Sequence, residues 1–188
     1  MTLLVAGLAV FLGVHLLPTL RGARAVLVAR SGDRGYRLGF SLVSAAGLLM
    51  IVLGYMQAGN GAQLFAPFAA ARAVAPYAMT LAFILFAAAN MPSHLRANVK
   101  HPMLIGLILW SAVHLLANGD LRGTVLFGTF LAYGLVDLAS AIGRHATATF
   151  IPRLRTDMIS VVAGTIVALL VMTFHRPLFG VGVVGFGV

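Results

Sequence analysis

The sequence predicts an all-α fold: a polytopic transmembrane bundle of about six helices, in a single domain spanning residues 1–188. Three observations lead there. Hydrophobic residues make up 61% of the chain and charged residues 9%, whereas a soluble domain is about one quarter charged. The apolar residues gather in separate runs near the roughly 20 residues a helix needs to cross the hydrocarbon core. The charges lie between those runs, and 13 Lys and Arg stand against 4 acidic residues. Basic loops of that kind set orientation and meet anionic headgroups. The net charge of +9 therefore calls for no nucleic acid, and the expected partner is the lipid bilayer. The absence of cysteine excludes a disulfide framework, thiolate-held haem and iron–sulfur clusters. All four acidic residues are Asp, so a glutamate base is excluded too.

The first span runs from about Leu3 to Leu20. Its start lacks a basic leader and a small-residue cleavage site, so it reads as a retained helix rather than a signal peptide. Pro18 bends or ends its last turn. Arg21 to Arg37, with five Arg and one Asp, reads as a basic loop. The second span covers about Leu38 to Tyr55, where Gly39, Ser41, Ser44, Gly47 and Gly54 permit close helix contact. Gln57 to Ala75 is the longest break, with Leu64–Phe68 as an interfacial piece. The third span is about Pro76 to Met91, followed by a basic turn from Pro92 to Lys100.

The fourth span is the segment around which the chain is organised. Lys100-His101-Pro102 opens it, with Pro102 at a position where its missing N–H costs nothing. Asn118-Gly119-Asp120 closes it in a polar turn. Trp110, His114 and Asn118 share one face, with Ser111 one turn before His114 on nearly that face. The fifth span is about Thr124 to Ile142 and the sixth about Met158 to Phe174. The Gly-rich tail from Arg176 carries no structural expectation. Ten basic residues fall in the odd-numbered loops and three on the other side, which predicts both termini away from the cytoplasm, on the periplasmic side of a bacterial inner membrane. No pair of broken helices marks a secondary transporter.

Of six histidines, His94, His101, His145 and His175 fall in or beside loops, whereas His15 and His114 sit inside apolar helices. An ionisable group at that depth is a hypothesis about function, beside which stands the structural reading of an interhelical hydrogen bond. Zinc wants three or four protein ligands. Haem wants only one or two, and an apolar bundle would solvate the macrocycle. Arg21 and Arg24, just past His15, are placed to pair with propionates. At 1.5 Å per residue, His15 lies roughly 9 Å and His114 roughly 18 Å from the cytoplasmic end. A tilted cofactor between them, or a cytoplasmic-side pair of His15 and His101, are both open. Asp137, within the fifth span, is expected to pair with an arginine of a basic loop.

Val14-His15-Leu16-Leu17-Pro18, Arg37-Leu38-Gly39-Phe40-Ser41, Lys100-His101-Pro102-Met103-Leu104, Trp110, His114-Leu115-Leu116-Ala117-Asn118-Gly119-Asp120 and Phe127-Gly128 together resemble the NnrU family. That family is associated by name with denitrification, and it is similar to cis-zeta-carotene isomerase, a haem b membrane enzyme. The resemblance implies haem b between His15 and His114, with redox or isomerase-like activity linked to nitrogen-oxide metabolism and a hydrophobic or nitrogen-oxide substrate. Where the isomerase carries a cysteine, this chain has Ser111, so a thiolate ligand swap is unavailable. Two other readings remain: a non-enzymatic accessory or assembly protein, and a relative of isoprenylcysteine or phospholipid methyltransferases, whose His-Pro motif looks similar but whose glutamates are absent. A homo-oligomer is open as well.

Overall fold

A computed structural model describes residues 1–59, 61–180 and 183, with Arg21 described by its backbone alone. Its helices are α1 (Thr2–Leu16), α2 (Arg21–Gln57), α3 (Ala69–Ala88), α4 (His94–Val99), α5 (Pro102–Asn118), α6 (Leu121–Gly143), α7 (Leu154–Thr173) and α8 (His175–Phe179). A 3₁₀ turn, Leu17–Thr19, joins α1 to α2 around Pro18. Among the described residues no strand forms beyond an isolated bridge between Gln63 and Asp120. Five helices (α1 with its 3₁₀ turn, α2, α3, α6 and α7) are long and apolar enough to cross a membrane. The apolar α5, of 17 residues, is shorter than these five.

The six pack as a row in the order α2, α1, α6, α5, α3, α7, with the α1–α6 joint the thinnest. The central core joins Leu4, Leu8 and Leu12 of α1 to Ile51 of α2 and to Leu126, Phe127 and Phe130 of α6. Backbones meet closely along the α1–α2 seam: a Cβ on Gly47 would lie 2.8 Å from the Phe11 nitrogen. Gly47 and Gly54 thus behave as the sequence suggested, whereas Gly39 has open space around it. On the outside, Leu42, Leu49, Val162 and Leu169 are each more than half exposed, an apolar surface that hydrocarbon solvates and water would not.

Two expectations about connections change. Arg21–Arg37 is helical rather than a loop, and the one break lies at Gly32, whose φ of 70° and ψ of 166° divide α2. Arginine, alanine and leucine are good helix formers, and basic charge does not oppose helix; the break needs a backbone region that only glycine enters readily. α3 begins at Ala69, well before Pro76, because a proline inside a helix removes a single bond, here to the Arg72 carbonyl.

The segment before α3 is bound to the end of α5 rather than lying free at the interface. Phe68 N–H donates to the Leu116 carbonyl at 3.0 Å and Leu64 N–H to that of Gly119 at 2.8 Å. Arg72 Nε donates to Ala117 at 3.0 Å, and Gln63 Nε2 to Asn118 at 2.9 Å. Carbonyls that a helix terminus leaves unpaired thus find partners on one strap. At the opposite, basic end, Asp157 accepts from His94 at 2.6 Å and from Leu95 N–H at 3.0 Å. This ties α7 to α4.

Candidate functional site

His15 lies on the last turn of α1. Its Nδ1 is 2.7 Å from the Phe11 carbonyl. A carbonyl oxygen only accepts, so Nδ1 carries the proton and Nε2 keeps its lone pair. The ring stacks on Phe11 at 4.2 Å, with Phe40 at 5.0 Å and Tyr133 at 6.4 Å between centroids. His114 repeats the arrangement on α5. Its Nδ1 is 2.8 Å from the Trp110 carbonyl, again one turn back, and its ring packs against Trp110 at 5.2 Å and Phe127 at 4.8 Å.

The two imidazoles are not brought together. α6 stands between α1 and α5 in the row, and three rings lead from one histidine to the other. Phe11 meets Phe130 at 5.9 Å, and Phe130 meets Trp110 at 5.7 Å. Two axial imidazoles on one metal would have ring centroids about 6 Å apart, given metal–nitrogen bonds of about 2 Å. No ring contact of that range joins His15 to His114 in this packing.

The other predicted residues separate further. Ser111 is fully buried, and its hydroxyl donates back to the Leu107 and Ile108 carbonyls at 2.7 and 3.2 Å. It serves its own helix instead of facing a ligand. His101 lines a different cleft, at the start of α5, with Arg96 and Lys100. Asn118 Nδ2 donates to the backbone carbonyl of His114 at 2.7 Å, not to the ring. Arg21 begins α2 beside the end of α1, and its side chain lies outside the described residues. Asp137 accepts from the Tyr133 hydroxyl at 3.0 Å and lies 3.8 Å from Arg144, which is the pairing the sequence suggested.

The structure brings together residues that the sequence did not group, with Tyr36 new among them. An open cleft of about 370 Å³ lies against the end of α1, lined by Pro18, Arg24, Tyr36, Arg37, Phe40 and Ser41. Phe40, which touches the His15 ring, forms one wall. The Arg24 guanidinium sits 5.4 Å from the Tyr36 ring centroid. The Tyr36 hydroxyl is buried without a hydrogen-bond partner, and such orphaned groups are rare in folded proteins. Tyr36 and Phe40 are one turn apart on α2, but only the kink at Gly32 folds Arg24 back over them. At the other end, His175 opens α8 with its ring 6.4 Å from that of His114 and 27° from parallel. No local motif pairs residues 61 positions apart. Among the described residues no group of three or more His, Cys, Asp or Glu is arranged to hold a metal ion.

No curated protein and no solved structure matches the chain. The family model described as NnrU protein matches residues 3–183, nearly the whole length. The match takes in α1 with His15, the His-Pro opening of α5 with His114, and every membrane-length helix between and beyond them. This chain belongs to the NnrU family.

Proposed function

We infer that the chain is a multi-pass protein of a bacterial inner membrane with both termini periplasmic. It binds one haem b through His15, in support of redox or isomerase-like chemistry linked to nitrogen-oxide metabolism. The observation that carries this reading is the His15 site. The imidazole has its Nδ1 proton committed to the Phe11 carbonyl at 2.7 Å, and its Nε2 lone pair suits iron. The adjacent cleft combines the apolar walls of Pro18 and Phe40 with the side chains of Arg24, Arg37 and Tyr36. That set fits an apolar macrocycle bearing two carboxylates.

Haem, when bound, supplies an iron that changes oxidation state and accepts an external ligand. The remaining work falls to the protein. The Phe11 carbonyl fixes the tautomer and the ring orientation of His15. Arg24 and Arg37 would hold the propionates by charge-assisted hydrogen bonds, and the Tyr36 hydroxyl, which lacks a partner, could donate to one of them. Phe40, packed on the His15 ring, keeps water from it. His114 is then a packing residue of the α5–α6 seam rather than a second ligand to the same iron. The substrate class is a hydrophobic molecule from the bilayer or a nitrogen oxide.

The test is an absorption spectrum of the full chain purified in detergent after expression with a haem precursor. A Soret band that alkaline pyridine assigns to haem b, and that His15→Ala removes, is the expected result. A colourless wild-type protein refutes it. One observation favours a second reading, in which the chain is a non-enzymatic accessory protein: both imidazoles are packed against aromatic rings, His15 on Phe11 and His114 on Trp110 and Phe127. On that reading both imidazoles are structural and the protein is colourless.

A further inference from the structure

The Lys100-His101-Pro102 motif takes no part in the His15 site, yet it borders a cleft of its own. That cleft, of about 200 Å³, lies between α4, the start of α5 and the α6–α7 connection, and its lining includes Arg96, Lys100, His101, Pro102, Leu104 and Ala146. We propose that it binds the phosphate of an anionic phospholipid headgroup at the basic face of the membrane. The proposal is independent of haem.

Three observations combine. First, the side chains that line the cleft bring positive charge and no carboxylate. Asp157, which meets α4, is engaged by His94 and the Leu95 N–H. Arg96 lies with its guanidinium 4.9 Å from the Phe150 ring centroid, an arrangement that uses the face of the cation and leaves its N–H edge for other acceptors. Among the described residues no side-chain hydrogen bond or ion pair engages Arg96, Lys100 or His101.

Second, the backbone is shaped to gather these groups. Arg96 and Lys100 are one turn apart, and the Lys100 N–H donates to the Arg96 carbonyl at 2.9 Å. Lys100 itself has φ 63° and ψ −50°, a γ-turn geometry rare for a non-glycine residue, closed by the His101 N–H donating to the Val99 carbonyl at 2.7 Å. It turns the chain so that His101 and the uncapped start of α5 face the same cleft. The N–H groups of Met103 and Leu104 have no partner within the helix and add to the positive end of its dipole.

Third, the rim is apolar on the side of the bilayer. Met103, which lines the cleft, is 44% exposed, and Ile151, next to the Phe150 that meets Arg96, is 83% exposed. A free phosphate has no use for such surface, whereas acyl chains below a headgroup do. This favours the lipid as the source of the phosphate.

The test uses the full chain, delipidated and reconstituted into nanodiscs of phosphatidylcholine alone or of phosphatidylcholine with phosphatidylglycerol, with thermal unfolding as the readout. Phosphatidylglycerol raises the Tm of the wild type, and Arg96→Gln/Lys100→Gln loses most of that rise. Arg30→Gln/Arg34→Gln, which removes the same charge elsewhere on the basic face, keeps it. Lys100→Gln alone, at an exposed side chain, loses part of the rise and serves if the double variant fails to fold. Inorganic phosphate added to phosphatidylcholine nanodiscs leaves the wild-type Tm unchanged. A Tm indifferent to phosphatidylglycerol overturns the proposal, as does an equal loss in both double variants. A phosphate response as large as the phosphatidylglycerol response overturns the lipid as the source.

Discussion

Gln63 reaches across the chain to donate from Nε2 to the carbonyl of Asn118 at 2.9 Å, while the same nitrogen donates to Phe65 at 2.7 Å. The bond pins the 61–68 strap to the Asn118-Gly119-Asp120 turn. Gly119 makes the approach possible: it adopts φ 75°, and a Cβ there would run into the Phe65 carbonyl. Gly119→Ala should therefore cost more than the roughly 1–2 kcal/mol of a left-handed backbone alone, and Gln63→Ala about 1 kcal/mol. Thermal unfolding in detergent checks both. A wild-type Tm for Gly119→Ala would mean that the strap is not held as described.

Asp120 caps α6, accepting from the Gly123 N–H at 3.0 Å. Asparagine caps about as well as aspartate, whereas alanine in place of either typically loses about 1 kcal/mol. Asp120→Asn should stay near wild type in an SDS unfolding titration and Asp120→Ala should fall below it. If the two variants are equally destabilised, the 3.8 Å pairing with Arg122, rather than the cap, carries the effect.

The haem reading separates the two membrane histidines. His15→Ala should lose the Soret band, and Arg24→Gln should lower haem occupancy without changing the axial ligand. His114→Ala should keep the band and instead lose stability, by about 2–4 kcal/mol as for other truncations of packed side chains. His114→Phe, which refills the space beside Trp110 and Phe127, should recover most of that loss. A spectrum that changes with His114→Ala and not with His15→Ala would reverse the assignment.

Gly47 provides a remote handle on the same site. A side chain there would press on Phe11, with only 2.8 Å between its Cβ and the Phe11 nitrogen, and the Phe11 carbonyl orients His15. Gly47→Leu should weaken haem retention as well as stability. Gly39→Leu, with nothing within 4 Å, should do neither. Haem-to-protein ratio after gel filtration is the measurement.

Orientation is tested with reporters. A periplasm-active reporter fused before Met1 and another after Val188 should both be active, and cytoplasm-active fusions silent. Activity of a cytoplasmic reporter at Val188 together with a periplasmic one at Met1 would require an odd number of crossings.

Apolar runs separated by basic segments were enough to determine an all-α bundle of apolar, membrane-length helices, because both hydrocarbon transfer and helix length are properties of local sequence. The His-Pro opening of α5, the Asn-Gly-Asp turn and the placement of His15 and His114 within apolar helices were legible for the same reason. Tertiary packing decided what those residues meet. Periodicity cannot reveal that α6 stands between α1 and α5, so the rings of Phe11, Phe130 and Trp110 between the two histidines were invisible from sequence. Ser111 turned out to bond its own helix, and His175 came to lie beside His114 from far along the chain. The break at Gly32 also escaped, since one residue's backbone angle folds Arg24 over Tyr36 while the residues on either side are good helix formers. Local sequence sets which segments enter the membrane; contacts between distant segments depend on which helix faces fit, and that is settled only when all six pack.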